Sequence, residues 1–306
     1  MNLDKGSIVR EVTTYHDAES KAMRLFRRLG MERIAWSLRR LHCPVGKDAL
    51  VLEVGSGGNP YPRANVLLDA YEETRQRHWA PLKVDRPMVL GFIENLPFKS
   101  GSFDFLIASH VLEHSPYPEK AINEFQRVAR SGYIEVPDAF FERLNPYRDH
   151  RSEITFRQGI LWIRKKPFWV LDQDIVELYE HSIKPSFTRD FIRKAPFIFH
   201  VRYYWNDKIQ FHIVNPETDS AWQPTNTDFP DLHQQRTKRG IRATCADGLR
   251  YLLSQNRRNC KIDLLKLMIC PTCGSENLKS CLNCLQCRTC KALYPIKNKL
   301  PIMYQK

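Results

Sequence analysis

Residues 49–60 read ALVLEVGSGGNP, an apolar run over 50–54 that enters a turn carrying glycines at 55, 57 and 58. Such a turn needs glycine because the backbone must reverse sharply and approach a ligand without a Cβ in the way. Glu53 sits on the strand itself, ahead of the glycines. The next apolar run, NVLLDA over 65–70, ends on Asp69. An acidic side chain at that point can accept both hydroxyls of a ribose. Further apolar runs follow at 88–92, 103–108 and 133–136, and PEKAINEFQRVAR over 118–130 has the spacing of an amphipathic helix with Pro118 in its first turn. Strands apolar on both faces and separated by helices predict a parallel sheet with crossover connections, the doubly wound α/β class.

The 306 residues suggest two units. With 42% hydrophobic and 26% charged residues the composition is that of a soluble chain able to fill a core. No apolar run reaches the roughly eighteen residues needed to span a bilayer, and the first twenty lack an export leader, so the expected location is cytoplasmic. The formal net charge of +13 is unevenly spread. Residues 43–150 carry a small acidic excess, whereas 1–42, 151–259 and 260–306 are basic. Cysteines are clustered too. Six of the nine lie between 270 and 290, which in a chain without an export leader reads as a metal site and not as a disulfide framework. Cys43, Cys245 and Cys260 read as ordinary thiols.

Five segments emerge. Residues 1–42 form an N-terminal basic segment whose 18–42 stretch reads as one helix, with Leu25, Leu29, Ile34, Leu38 and Leu41 inward and arginines outward. Residues 43–214 hold the sheet and, after 139, a cap of two antiparallel hairpins. One joins 154–156 to 160–163 through Gln158-Gly159, the other joins 197–205 to 208–214 through Asn206-Asp207. A short helix is expected at 174–181. Residues 215–240 are polar, contain three prolines and read as a linker. Residues 241–259 read as a helix, and 260–306 as a small cysteine-rich unit.

Taken together, the loop at 53–58, Asp69, ENLPFKSGSFDFLIASHVLEH at 94–114 and GYIEVPD at 132–138 resemble the class I S-adenosylmethionine-dependent methyltransferases. The resemblance implies a Rossmann-like methyltransferase sheet with S-adenosylmethionine as cofactor. Glu53, Gly55, Gly57 and Gly58 would hold its methionine end, and Asp69 its ribose. Phe92, Glu94 and Ser109 are the remaining cofactor positions it implies. Phe92 stands where that family commonly has an aspartate on the adenine amino group; a phenylalanine packs against the purine face instead.

Methyl transfer from a sulfonium is an in-line displacement, so the protein's work is alignment and, for a hydroxyl or protonated amine, removal of a proton. His110 and His114 follow the fourth strand at the carboxyl edge of the sheet and are the candidate bases, His114 preferred. Four residues apart, they would share a helical face. The resemblance of the HVLEH stretch to methyltransferases of that type implies a small-molecule, lipid or sugar-type acceptor. RNA is the alternative acceptor, favoured by the basic charge. A non-catalytic zinc-binding scaffold with a degenerate cofactor pocket is the alternative of another class.

Cys270-Pro-Thr-Cys273 and Cys287-Arg-Thr-Cys290 are two C-x-x-C knuckles, the ligand set of a tetrahedral Zn²⁺ site. Cys281 and Cys284 form a third pair that competes for the second knuckle. The tail CRTCKALYPIKNKLPIM resembles the zinc-ribbon activator subunits of tRNA, ribosomal-RNA and release-factor methyltransferases. That resemblance favours Cys287 and Cys290, and it implies a stabilising module acting in cis or a contact for a protein partner.

Overall fold

The first strand, β1 (Val51–Val54), is buried along its whole length, which is why its residues are continuously apolar apart from Glu53 and do not alternate. The computed structural model, which describes residues 19–74, 81–169, 178–222, 248 and 250–304, places β1 at the centre of a six-stranded sheet. Its neighbours are β2 (Val66–Asp69), β3 (Met88–Leu90), β4 (Phe105–Ser109), β5 (Ser131–Pro137) and β8 (His200–Asn206), in the order β3-β2-β1-β4-β5-β8. The first five run parallel and β8 runs antiparallel to β5. The chain moves outward from β1 to one edge and returns to β4 on the other side of β1. At such a reversal the crossover connections diverge and leave a crevice at the carboxyl ends of the strands.

Helices α1 (Lys21–Arg28), α2 (Glu32–Leu38), α3 (Pro118–Val128) and α4 (Ala139–Leu144) are the regular ones that matter for the site. α3 starts on Pro118, whose missing N–H costs nothing there, and turns Ala121, Ile122, Phe125 and Val128 into the core. Gln158 and Gly159 turn β6 (Ser152–Arg157) into β7 (Ile160–Lys165) with positive φ at both, as the sequence predicts for a hairpin.

Four expectations are corrected. The N-terminal stretch is not one helix: it breaks at Gly30 (φ 71°), and Leu25 and Leu29 are 55% and 62% exposed. Met23, Ala35 and Arg39 are buried instead, because the segment is anchored by Arg39 and not by a leucine stripe. The second hairpin does not form. Asn206-Asp207 does make a turn, but β8 joins the central sheet while β9 (Phe211–Ile213) pairs in parallel with β7. The physical reason is burial: Val201, Tyr203 and Trp205 cover one face of β8 and Tyr204 the other, which suits a strand covered on both sides. The described part of the expected linker is packed. Ser220 is buried with its Oγ donating to Pro116 O, and Trp222 Nε1 donates to Lys166 O; residues 223–240 lie outside the described residues. The helix expected over 241–259 is interrupted at Ser254-Gln255, with 241–247 and 249 outside the described residues. There Ser254 Oγ accepts from Arg86 and Gln255 Oε1 from Asn65, tying this segment to β2. Of the helix expected at 174–181, residues 174–177 lie outside the described residues, and helical turns occupy 179–192.

The cysteine-rich unit is a four-stranded antiparallel sheet of β10 (Leu278–Ser280), β11 (Cys284–Cys287), β12 (Leu293–Lys297) and β13 (Leu300–Pro301). Its apolar side merges with the central core: Met268, Leu285, Tyr294 and Met303 belong to the same cluster as Leu68, Val89 and Phe98. Backbone bonds seal the contact, with Met303 N donating to Leu90 O (2.8 Å) and Ile269 N to Pro97 O (3.0 Å). Among the described residues no helix is long and apolar enough to cross a membrane.

The close approach of β4, β5 and β8 depends on Gly132. A Cβ there would lie 2.5 Å from Leu106 O and 2.6 Å from Trp205 Nε1. Gly132→Ala is expected to destabilise the chain by about 1–3 kcal/mol, read from the urea unfolding midpoint. An unchanged midpoint would show that both the β4 backbone at Leu106 and Trp205 give way without cost.

Candidate functional site

The turn after β1 is built by glycine at two positions for different reasons. Gly55 has φ 68°, and a Cβ on it would sit 2.6 Å from Val111 Cβ, so nothing larger fits. Gly57 has φ 57° and donates its N–H to Asp69 Oδ2 at 2.9 Å. Asp69 also accepts from Tyr71 N at 3.3 Å. The two strand ends are thereby locked together at the crevice. Gly55, Gly57, Asp69, Phe92, Glu94, His110 and His114 all line one cleft of about 980 Å³. The sequence-predicted residues Glu53, Gly58 and Ser109 stand off its surface. Ser109 Oγ donates to Glu135 Oε1 at 3.1 Å, and Gly58 is exposed beside Gly57.

Phe92 lies between two tyrosine rings, Tyr71 at 5.7 Å and Tyr304 at 4.8 Å between centroids. The tail of the cysteine-rich unit thus reaches the wall of the cleft. Glu94 accepts from Ser115 Oγ.

His110 and His114 do not share a helical face. His110 precedes the short turn Leu112–His114 and has φ 55°, held by its N–H donating to Glu135 O at 2.7 Å. Its ring lies 3.3 Å from Glu135 Oε1 and 3.5 Å from Glu113 Oε1. Its side chain is 41% exposed to the cleft; the desolvation on its inner side lowers its pKa, but the two carboxylates outweigh that and raise it to about 9. At neutral pH this ring is a cation, not a base. His114 is the reverse: burial and the neighbouring His150 depress its pKa, so the ring is neutral. It meets His150 edge-on at 4.7 Å.

Three residues that support this end of the cleft from behind its surface were missed in the sequence. Glu135 and Arg39 form a buried bidentate pair (2.7 and 2.9 Å). Arg39 gave no signal among so many arginines, and Glu135 looked like one polar residue in an apolar strand. His150 is brought beside His114 by the chain reversal through α4, which no spacing in the sequence announces.

The four expected cysteine ligands do converge: the sulfurs of Cys270, Cys273, Cys287 and Cys290 lie within 4.8 Å of one another. The two knuckles close alike. Gly274 N donates to Cys270 O (2.8 Å) and Lys291 N to Cys287 O (3.0 Å), with left-handed φ of 71° and 65°. Tyr294 OH reaches Cys270 Sγ at 3.0 Å and Thr272 Oγ1 at 2.7 Å. Cys281 and Cys284 flank the β10–β11 turn and stay outside the group.

Glu53 lies under the glycine turn, 3% exposed, with its Oε2 accepting from Tyr61 N at 2.7 Å. Burial raises its pKa from 4.5 to about 7, against the pull of Arg40 and the Tyr61 amide. A carboxyl that folding makes harder to ionise contributes stability that is complete below its unfolded value. That stability is lost as pH rises through the folded one. The difference in unfolding free energy between the chain and its Glu53→Gln variant is therefore expected to shift in favour of the variant between about pH 5 and about pH 8. A pH-independent difference would show that Glu53 is ionised throughout.

The family model described as a methyltransferase domain matches residues 52–134, which run from β1 into β5. An uncharacterized chloroplastic methyltransferase of Arabidopsis thaliana is 30% identical over 138 residues, 44% of this chain and 37% of that protein. An uncharacterized methyltransferase of Mycobacterium sp. (strain KMS) is 29% identical over 130 residues, 40% of this chain and 50% of that protein. The chain thus spans half or less of the length of these relatives. Among solved structures, a putative methyltransferase from an antibiotic biosynthesis pathway of Anabaena variabilis has 22% identity and a TM-score of 0.29, covering 37% of this chain and 51% of that one. A complex between a Haloferax volcanii methyltransferase activator and a putative methyltransferase has 18% identity and a TM-score of 0.30, covering 45% and 77%. Residues 52–134 thus match a methyltransferase domain, and the relatives similar to the chain are methyltransferases.

Proposed function

We propose that the chain transfers a methyl group from S-adenosylmethionine to a small-molecule, lipid or sugar-type acceptor. The observation that carries this reading is the Gly57–Asp69 lock inside the cleft of about 980 Å³ at the reversal of strand order. That volume is within the roughly 300–1,000 Å³ of small-molecule sites. A glycine turn that tolerates no Cβ, an acidic strand end and an aromatic wall together fit an adenosyl ligand with a charged amino-acid tail. The cofactor supplies an activated methyl on a sulfonium. Asp69 holds the ribose hydroxyls, the turn at Gly55 and Gly57 holds the methionine end, with Gly58 and Glu53 shaping that turn from outside the cleft, and Phe92 lies against the purine, flanked by Glu94. Ser109 acts from behind through Glu135. His114, neutral and lining the cleft, is the proton acceptor; His110, held as a cation, orients the acceptor end. Lys120 and Arg151 also line this end, which suits an acceptor bearing an anionic group.

The cysteine group fits zinc. Sulfurs at the corners of a tetrahedral site with Zn–S near 2.3 Å are roughly 3.8 Å apart. The Cys270–Cys290 and Cys273–Cys287 separations are both 3.6 Å. We infer that Zn²⁺ bound there supports the methyltransferase fold in cis. The ribbon shares the central core, pairs Ile302 beside Leu90 and sets Tyr304 on Phe92.

Calorimetry with S-adenosylmethionine is expected to give one site per chain. Asp69→Ala should weaken it by about 1.5–3 kcal/mol, roughly 10- to 100-fold, and Gly57→Arg should abolish it. No heat at millimolar cofactor would sink the reading. Methyl label should pass into a small-molecule, lipid or glycan fraction of extract; label confined to RNA would replace the acceptor. For the ribbon, metal analysis should find one zinc per chain, lost in Cys273→Ser. Stripping zinc should lower the thermal midpoint of the whole chain in a single transition, together with cofactor affinity. An unchanged midpoint and affinity would exclude support in cis.

A further inference from the structure

Behind the acceptor end of the cleft lies a cluster of which the methyl-transfer reading uses only His114. Glu113, His114 and His150 bring one carboxylate oxygen and two imidazole nitrogens within 4.8 Å of one another. Glu113 is 2% exposed, and its Oε2 has no hydrogen-bond partner. Its Oε1 lies 3.5 Å from His110 Nδ1, beyond an ordinary hydrogen bond. The His110 cation faces only Oε1; a buried Oε2 without a donor is still costly, and a second cation on that side is its natural complement.

Both imidazoles have their Nδ1 committed to an acceptor. His114 Nδ1 lies 3.0 Å from the Asp149 carbonyl oxygen. His150 Nδ1 lies 2.6 Å from Glu142 Oε2. Donation from Nδ1 to a carbonyl or carboxylate leaves Nε2 unprotonated, and this is how metal-ligating histidines are held. Glu142 is itself fixed by Lys166 Nζ at 2.9 Å and Tyr147 N at 3.1 Å. The site therefore has three potential ligands and a support behind both rings. His114 lines the cleft, which gives an ion access and leaves its remaining positions facing the acceptor end.

We propose that Glu113, His114 and His150 bind a divalent first-row transition ion at the acceptor end of the cleft. Two imidazoles with one carboxylate suit manganese, iron or zinc better than calcium or magnesium. Three protein ligands leave positions open for an oxygen of the acceptor. That last role rests on the methyl-transfer reading, and with an ion present His114 is a ligand and not the base. The ion site itself is independent of that reading.

The full-length chain, its cysteine group first filled with one equivalent of zinc, is titrated with Mn²⁺ and separately with Zn²⁺. One further ion per chain is expected, with uptake lost in Glu113→Gln and in His150→Ala and kept in Asp69→Ala. Glu142→Gln should weaken it roughly 10- to 100-fold. Selective broadening of the His114 and His150 ring resonances by Mn²⁺ reads the same site in the unaltered chain, should a variant fail to fold. Uptake of neither ion at millimolar concentration, or uptake that survives both ligand variants, overturns the site. Cofactor calorimetry on the same samples separates the two ideas. Cofactor binding without a second ion removes the metal alone, whereas ion uptake without cofactor binding removes the methyl-transfer reading alone.

Discussion

The carboxylate of Glu135, fully buried in β5, is the constraint around which this end of the molecule is arranged. Burial alone would drive it to its neutral form. Arg39 and His110 outweigh that and hold its pKa well below the usual carboxylate range. Arg39 meets both of its oxygens, while Ser109 and Tyr133 supply hydroxyl donors. Breaking a buried pair by removing one partner costs roughly 3–5 kcal/mol, so each of these groups is committed to its place. The consequences spread from there. The N-terminal segment is drawn onto the sheet by Arg39, not by its leucines. His110 is held in a left-handed conformation that few non-glycine residues adopt, because its amide donates to the Glu135 carbonyl. The two histidines of the cleft consequently differ in charge although four residues separate them.

A second dependence joins the two ends of the chain. The last strand of the ribbon continues past β3 at the sheet edge, and Tyr304 closes on Phe92. Phe92 presents an aromatic surface to the cleft, and the ribbon supplies the ring that packs against it. The cysteine knuckles are thus coupled to the cleft through shared apolar packing: Cys270 and Cys287 are buried in the same cluster as the inner faces of the sheet. Closure of the cysteine group and the shape of the cleft wall become one folding problem.

Much of the sheet was legible in the residues because local rules and tertiary demand agree there. Continuous apolar runs marked β1, β2, β4 and β5 to within two residues, and Pro118 marked the start of α3. Gln158-Gly159 marked the first hairpin correctly. Asn206-Asp207 marked a turn equally well but not its consequence, since a turn states that the chain reverses and not which strands then pair. The aromatic alternation FHVRYYW reads the same in an exposed hairpin and in an edge strand buried on both faces. Among the candidate site residues, Gly55, Gly57 and Asp69 were recognisable because their spacing follows from the geometry of adjacent strand ends.

The sequence by itself determined the strand-turn-acid framework of the cleft and the two knuckles of the cysteine group, since each depends on residues close along the chain. Only the tertiary structure decided what depends on distant segments. Arg39 found Glu135, His150 found His114, β8 left its expected partner for β5, and Cys281 and Cys284 were left outside the four-cysteine group. The physical reason is the same in each case. Local pattern reports what a segment can do, whereas the choice among partners is made by burial, where an unpaired charge or an uncovered face is too costly to leave.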